Sequence, residues 1–269
     1  MFDTEYEAKL QKSLNKLGIV IKYEHIDRLP KDQFAKARNS GFGASDSAKL
    51  LNVSPFGTKL DLVREKANET HDEEISKKAS VRKGSQLEPI ILQNAEELLK
   101  ATLYAYYNEN IHIHKPYNMY GQKDGALNIN FDGVLFIGDV PITVVEAKLV
   151  TKYGRKYYNF NKAYLRTVDG APDVSYINDI EKPDTPVINA ANVLDICTKL
   201  ADYYGIPIYY YTQVQQQLLG VTNDFGYLAV VDDDNWEVYI FKVYRNEQLI
   251  SLLKTTGVAA WAMVTAMKK

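Results

Sequence analysis

Three side chains in the middle of the sequence are of types and spacing that could do chemistry: Asp132 in Phe131-Asp132-Gly133, and Glu146 and Lys148 in Val144-Val145-Glu146-Ala147-Lys148. In an extended strand successive side chains alternate between faces, so Glu146 and Lys148 share one face while Ala147 points into the core. The apolar run Thr143-Val144-Val145 supplies the buried strand that holds them still. Two carboxylates and an amine at the edge of one β-hairpin can hold Mg²⁺ and activate water, the arrangement of a metal-dependent phosphodiesterase. Glu-x-Lys is also a common solvated charge pair, and Asp-Gly a common hairpin turn. The rest of the chain decides between these readings.

The elements that must position these residues fit within 269 residues, of which 46% are hydrophobic and 25% charged. That is enough for one large domain, or a domain with an insertion. A single cysteine excludes a disulfide framework and a cysteine-based zinc site, and points to a reducing, cytoplasmic setting. The four histidines give little material for a histidine-ligated metal. The acidic start Met-Phe-Asp-Thr-Glu-Tyr-Glu is no signal peptide, and the apolar stretch near Gly257 to Met267 is too short to span a bilayer, so no membrane partner is expected. A net charge of −2 excludes a generally basic nucleic-acid coat but not a local basic groove. Lys148, Lys152, Arg155, Lys156, Lys162 and Arg166 follow the Glu-x-Lys strand, interleaved with Tyr153, Tyr157, Tyr158, Phe160 and Tyr164. Cations mixed with aromatics suit a phosphate backbone and unstacked bases. A second basic cluster, Lys77, Lys78, Arg82 and Lys83, precedes Glu88.

The expected order of elements is helices over about 1–105, a catalytic sheet over 106–150, an irregular insertion over 151–189, and further helices and strands over 190–269, all in one domain. Ser45-Asp46 reads as the cap of a helix from Ser47 to Leu51. A long helix is expected from Asp72 or Ser76 to Tyr104, kinked or restarted at Pro89. Strands are expected near 19–23, 111–114, 126–129, 134–137, 143–149, 225–231 and 236–244. Pro207 opens a helix that carries Tyr211-Thr212-Gln213-Val214-Gln215-Gln216-Gln217.

Five motifs, in order, carry a resemblance. Arg38-Asn39-Ser40-Gly41-Phe42-Gly43-Ala44-Ser45-Asp46 with Leu50 to Phe56, then Gly84-Ser85-Gln86-Leu87-Glu88-Pro89, Asp132-Gly133, Glu146-Ala147-Lys148 and Tyr211-x-Gln213-Val214-Gln215 resemble the YqaJ-type viral recombinases. That family is similar to the lambda-type alkaline exonucleases. The resemblance spans about Ala35 to Val243 and implies a restriction-endonuclease-like α/β (α+β) fold of the PD-(D/E)xK superfamily, with a mixed central sheet flanked by helices.

Position by position, the resemblance implies catalytic roles for Glu88, Asp132, Glu146, Lys148 and Gln213. Asp132, Glu146 and the Ala147 carbonyl would hold Mg²⁺, with Mn²⁺ able to substitute, and Glu88 would help with a second ion. Lys148 would orient or deprotonate the water, and Gln213 would hold that water or a phosphate. Asp124 also precedes a glycine, but the approach Asn128-Ile129-Asn130-Phe131 fits the family's aspartate better and favours Asp132. Arg38 and Ser45 would meet a terminal phosphate, and Lys152, Arg155 and Lys156 the DNA backbone. The implied activity is Mg²⁺-dependent 5′-to-3′ exonucleolytic resection of duplex DNA ends. A single-strand annealing protein is the expected partner, a homo-oligomeric ring the assembly, and a bacterial host cell the setting of this phage or prophage product. An endonuclease or nickase on the same fold, and a nuclease-derived protein that binds DNA without cutting, are the two other classes.

Overall fold

The computed structural model describes residues 3–68, 79–107, 110–122 and 126–268. The chain opens with helix α1 (Thr4–Lys16) and strand β1 (Ile19–Tyr23), then the helices α2 (Lys31–Arg38), α3 (Ser47–Leu50) and α4 (Lys59–Ala67), and the long α5 (Ala79–Tyr107). Strands β2 (Ile111–His114), β3 (Met119–Gln122), β4 (Asn128–Ile129), β5 (Gly133–Ile137) and β6 (Val140–Val150) follow. Short strands β7 (Leu165–Val168) and β8 (Ala171–Pro172) precede helices α6 (Val193–Tyr204) and α7 (Ile208–Gln217). Strands β9 (Phe225–Asp232) and β10 (Val238–Tyr244) and helix α8 (Glu247–Met267) complete the chain.

The principal sheet has seven strands in the order β2-β5-β6-β9-β10-β7-β8, and a smaller one runs β1-β3-β4. β6 is antiparallel to β5 but parallel to β9, which makes the large sheet mixed. A parallel neighbour needs a crossover, and the long stretch between β6 and β9 supplies it, carrying α6 and α7 onto one face.

β6 sits between two cores. Val145 and Ala147 pack in the cluster that contains Ile91, Leu92, Ala95, Leu98, Leu99 and Leu103 of α5, whose spacing makes one helical stripe. Val144 and Val150 belong to the larger cluster on the opposite face, with Tyr211, Val214 and Leu218. Helices therefore cover both faces of the sheet, and the mixed α+β architecture expected from the sequence holds.

Several local expectations need correcting. The helix through Pro89 is continuous over Ala79–Tyr107 and does not restart there; its expected starts at Asp72 or Ser76 lie outside the described residues, as do Lys77 and Lys78. The Ser45 and Asp46 side chains do not cap α3. Asp46 Oδ2 instead accepts from Gly43 N at 3.0 Å, which closes the turn on itself. The segment expected to be wholly irregular contains β7 and β8, because Leu165 and Arg166 pair with Ile240 and Tyr239 and extend the sheet. The terminal helix begins at Asn246, whose side chain accepts from Leu249 N, about ten residues before the apolar stretch. By length and composition this helix could cross a membrane, contrary to the expectation from the stretch alone. Its stripe Leu249, Leu253, Gly257, Ala260 and Val264 is buried in the larger core.

Candidate active site

The loop between β4 and β5 delivers Asp132, and Gly133 behind it lets the chain press close to its neighbours. A Cβ at Gly133 would stand 2.6 Å from Ile113 Cγ2 and 3.0 Å from Leu92 Cδ2. Asp132 Oδ2 accepts from Ala147 N at 3.0 Å, so the loop is pinned to the strand that carries Glu146 and Lys148. β6 presents Glu146 on the face toward α7, where Gln213 Nε2 donates to Oε1 and Gln217 Nε2 to Oε2. Gln213 and Gln217 are one helical turn apart and so reach the same carboxylate.

Lys148 joins these groups. Its Nζ donates to Glu146 Oε1, lies 3.0 Å from the Ala147 carbonyl oxygen and 3.5 Å from Asp132 Oδ2. Three oxygens from three residues converge on one positive charge. Glu146 is only 1% exposed. Burial and the charge of Asp132 push its carboxyl up to about 8, against the opposing pull of Lys148. Burial works against the Lys148 charge, but Glu146 and Asp132 overcome it and hold the amine firmly protonated.

Glu88 faces this centre from α5. It pairs with Lys115 at 3.0 Å, and burial followed by the charge of Asp132 raises its carboxyl. Opposite, the Arg38 turn is strapped to β4. Phe42 N donates to Ala126 O at 2.7 Å, Asn128 N to Phe42 O at 2.8 Å, and Gln216 Nε2 to both Phe42 O and Asn128 O. Gly41 makes the close approach feasible, since a Cβ there would stand 2.5 Å from Ala126 O. Lys66 of α4, almost wholly buried, donates to the Arg38 carbonyl at 3.0 Å and pairs with Asp46 at 3.1 Å. These ties close a cavity of about 240 Å³ whose lining includes Arg38, Ser45, Glu88, Asp132, Glu146, Lys148 and Gln213.

Seven of the eight residues expected at the reacting centre or the terminal phosphate thus share one cavity, and the eighth, Ala147, turns its carbonyl oxygen to Lys148 Nζ. Lys152, Arg155 and Lys156 do not line it. Arg155 pairs with Asp232 and Asp234, each at 3.1 Å. Lys152 and Lys156 lie exposed over Tyr153 and Tyr157. Asp124, the alternative to Asp132, is outside the described residues. Sequence reasoning missed Gln217, Lys66 and Lys115. Of these only Gln217 carried a signal, its four-residue spacing from Gln213; the lysines reach the site through tertiary contacts with no local pattern.

Among the described residues no group of three or more His, Cys, Asp or Glu side chains forms a ready metal cage. The donor set nevertheless suits a hard divalent cation. It is all oxygen, two of its carboxylates repel each other, and the ammonium of Lys148 already stands where Asp132, Glu146 and the Ala147 carbonyl converge. Those three residues would hold such a cation, with Glu88 alongside.

A family model described as the YqaJ-like viral recombinase domain matches residues 33–224. Two solved structures are similar to the chain, both of an alkaline exonuclease (LHK-Exo) from Laribacter hongkongensis, one of them in complex with dAMP. Each is 14% identical, covers 88% of this chain and 93% of that chain, and gives a TM-score of 0.47. No curated protein matches the chain closely.

Proposed function

The chain belongs to the YqaJ-like viral recombinase family, and from that membership in a family of recombination nucleases we propose that it is a Mg²⁺-dependent exonuclease resecting duplex DNA ends 5′ to 3′. One observation carries this reading: the convergence of Asp132, Glu146 and the Ala147 carbonyl on a single cation, the Lys148 ammonium, at the wall of a cavity that also holds Arg38.

Mg²⁺ bound by those oxygens, with Mn²⁺ able to substitute, would supply a nucleophilic water at neutral pH and offset charge on the phosphate. The protein's own groups do the rest. Lys148 keeps its proton between two carboxylates, so it serves as a fixed positive charge for the oxygens of the phosphorane-like transition state rather than as a base. Gln213 and Gln217 fix the Glu146 carboxylate from behind without adding charge. Glu88, raised and partly offset by Lys115, stands ready for a second ion or a leaving-group proton. Arg38 lies over Phe34 at 5.9 Å, has no carboxylate partner among the described residues, and projects into the cavity as the contact for a 5′ phosphate, with Ser45 beside it. The product strand would pass to a single-strand annealing protein, and the enzyme would work as a ring of subunits in the cytoplasm of a bacterial host.

Incubation with Mg²⁺ and either linear or covalently closed duplex tests the reading. Mononucleotides should accumulate from 5′-phosphorylated linear DNA and nothing from the circle. Cutting of the circle at a comparable rate identifies an endonuclease or nickase, and binding without cutting of either identifies a non-cutting DNA-binding protein.

A further inference from the structure

A run of aromatic rings starts at Lys148 and ends in solvent. Tyr210 lies beneath the Lys148 amine, 5.5 Å from Nζ to the ring centre. Tyr209 adjoins it at 4.5 Å between centroids, and Phe56 meets Tyr209 edge-on at 5.2 Å. Tyr158 lies 6.3 Å from Tyr210 between centroids, and its neighbour in sequence, Tyr157, is exposed. Phe56 is 69% exposed, so the path of rings from Lys148 ends in water, and Tyr157, 58% exposed, is a second large ring in the segment that carries Tyr158. Scattered exposed apolar side chains are ordinary; a linked set beside a reacting centre is not.

Phe56 is held there by a built turn. Phe56 N donates to Ser54 Oγ at 3.0 Å, and Lys59 N to Asn52 Oδ1 at 2.7 Å. Thr58 caps α4 in a reciprocal pair with Asp61. A ring displayed on a pinned turn loses little freedom when it binds. Two cations accompany the rings. Lys152 and Lys156 each lie 5.0 Å from the ring of the tyrosine that follows, and neither pairs with a carboxylate among the described residues. Arg155 in the same segment is instead held by Asp232 and Asp234, which anchors Tyr157 and Lys156 in place. Exposed rings beside positive charge that no carboxylate holds match the chemistry of a single nucleic-acid strand, with bases to stack and phosphates to neutralise.

We propose that Phe56, Tyr209 and Tyr157, with Lys152 and Lys156, form a stacking platform for the unpaired bases of single-stranded DNA next to the catalytic centre. The inference rests on the nuclease reading for the origin of that strand, the frayed or resected end of a duplex. The contact itself does not require cleavage. Recognition is neutral to sequence because every base has a ring face.

The test compares an oligothymidine of about 12 nucleotides with an abasic strand of the same length and charge. Binding is followed by fluorescence anisotropy at one salt concentration without Mg²⁺. Wild type should bind the oligothymidine at least about tenfold more tightly than the abasic strand. Phe56→Ala combined with Tyr157→Ala should bring the two affinities together by weakening only the oligothymidine. Both side chains are exposed, and circular dichroism checks that the variant is folded. Equal affinity of wild type for both strands, or a base preference retained by the double variant, overturns the platform. Cleavage of linear duplex with Mg²⁺ is measured on the same preparations. A wild type that prefers bases but does not cut removes the proposed function and leaves the platform standing. A wild type that cuts but has no base preference removes the platform alone.

Discussion

Two glutamates among the described residues are buried almost completely and satisfied by three donors each, and their surroundings differ. Glu7 of α1 is 4% exposed and accepts from His114 Nε2 at 2.8 Å, Asn118 Nδ2 at 2.8 Å and the Tyr120 hydroxyl. Glu146 of β6 is 1% exposed and accepts from Lys148, Gln213 and Gln217. Glu7 is enclosed by the side chains it joins, stitching α1 to the strands β2 and β3. Glu146 lines a cavity, with Asp132 and Glu88 facing the same space. Burial and hydrogen bonding alone therefore do not mark a reacting carboxylate. What sets Glu146 apart is access and like charge, because repelling carboxylates held together create a demand for a cation.

The sharpest way to break this contrast is to exchange each glutamate for its neutral isostere. Glu146→Gln should lower Mg²⁺-dependent cleavage by ~10³-fold or more while the protein stays folded. Glu7→Gln should keep its activity per folded molecule, but leave donors without a full acceptor and cost about 2–3 kcal/mol of stability. That corresponds to a melting temperature lower by roughly 5–10 °C. Activity assays and thermal unfolding of both variants check the pair. A Glu146→Gln enzyme that still cuts, or a Glu7→Gln enzyme that is stable but inactive, would reverse the assignment.

The pH dependence of stability should separate the two sites next. The Glu146 carboxyl titrates near 8 in the folded protein against an ordinary value of 4.5, so the protonated form favours folding. Its contribution is full below about pH 4.5 and is lost as pH rises through 8. Metal-free protein should accordingly melt at lower temperature as pH climbs across that window. Saturating Mg²⁺ should flatten the fall, and Glu146→Gln should remove it. A fall of the same size in Glu146→Gln would assign it to another group.

Residue by residue, the elements that bring Asp132, Glu146, Lys148 and Gln213 to one cavity were readable in the sequence, and the Glu7 cluster was not. The period of a strand places Glu146 and Lys148 together and sends Ala147 into the core, where it sits 6% exposed. Asp-Gly marks the turn that brings Asp132, and the helix opened by Pro207 brings Gln213. Gln217 was hidden in a run of glutamines, since composition alone does not give the phase of a helix against a sheet. Glu7 gave no sign at all. Its partners lie more than a hundred positions away, and α1 reads as an ordinary helix whose acids suit its first turn. β3 was missed because Met119-Tyr120-Gly121-Gln122 does not alternate, and it is buried at three of its four positions. β7 was masked by the prolines, glycine and acids that follow it.

A smaller effect sharpens the reading of the cavity's far wall. Arg38→Ala should slow digestion of 5′-phosphorylated linear duplex roughly ten- to a hundredfold and change the 5′-hydroxyl form much less. Replacing Lys152 and Lys156 should lower both rates to the same extent, because they lie outside the cavity. Initial rates on the two ends decide this, and an unchanged phosphate preference in Arg38→Ala would remove the arginine from the terminal subsite.

Mn²⁺ titration followed by electron paramagnetic resonance, with cleavage measured in the same samples, decides whether the oxygens gathered around Lys148 are a metal site. Wild type and Glu7→Gln should bind Mn²⁺ and cut in proportion to its occupancy, and Asp132→Asn and Glu146→Gln should lose both together. Undiminished Mn²⁺ binding in Asp132→Asn and Glu146→Gln, or cleavage by wild type stripped of metal, would contradict a metal site there.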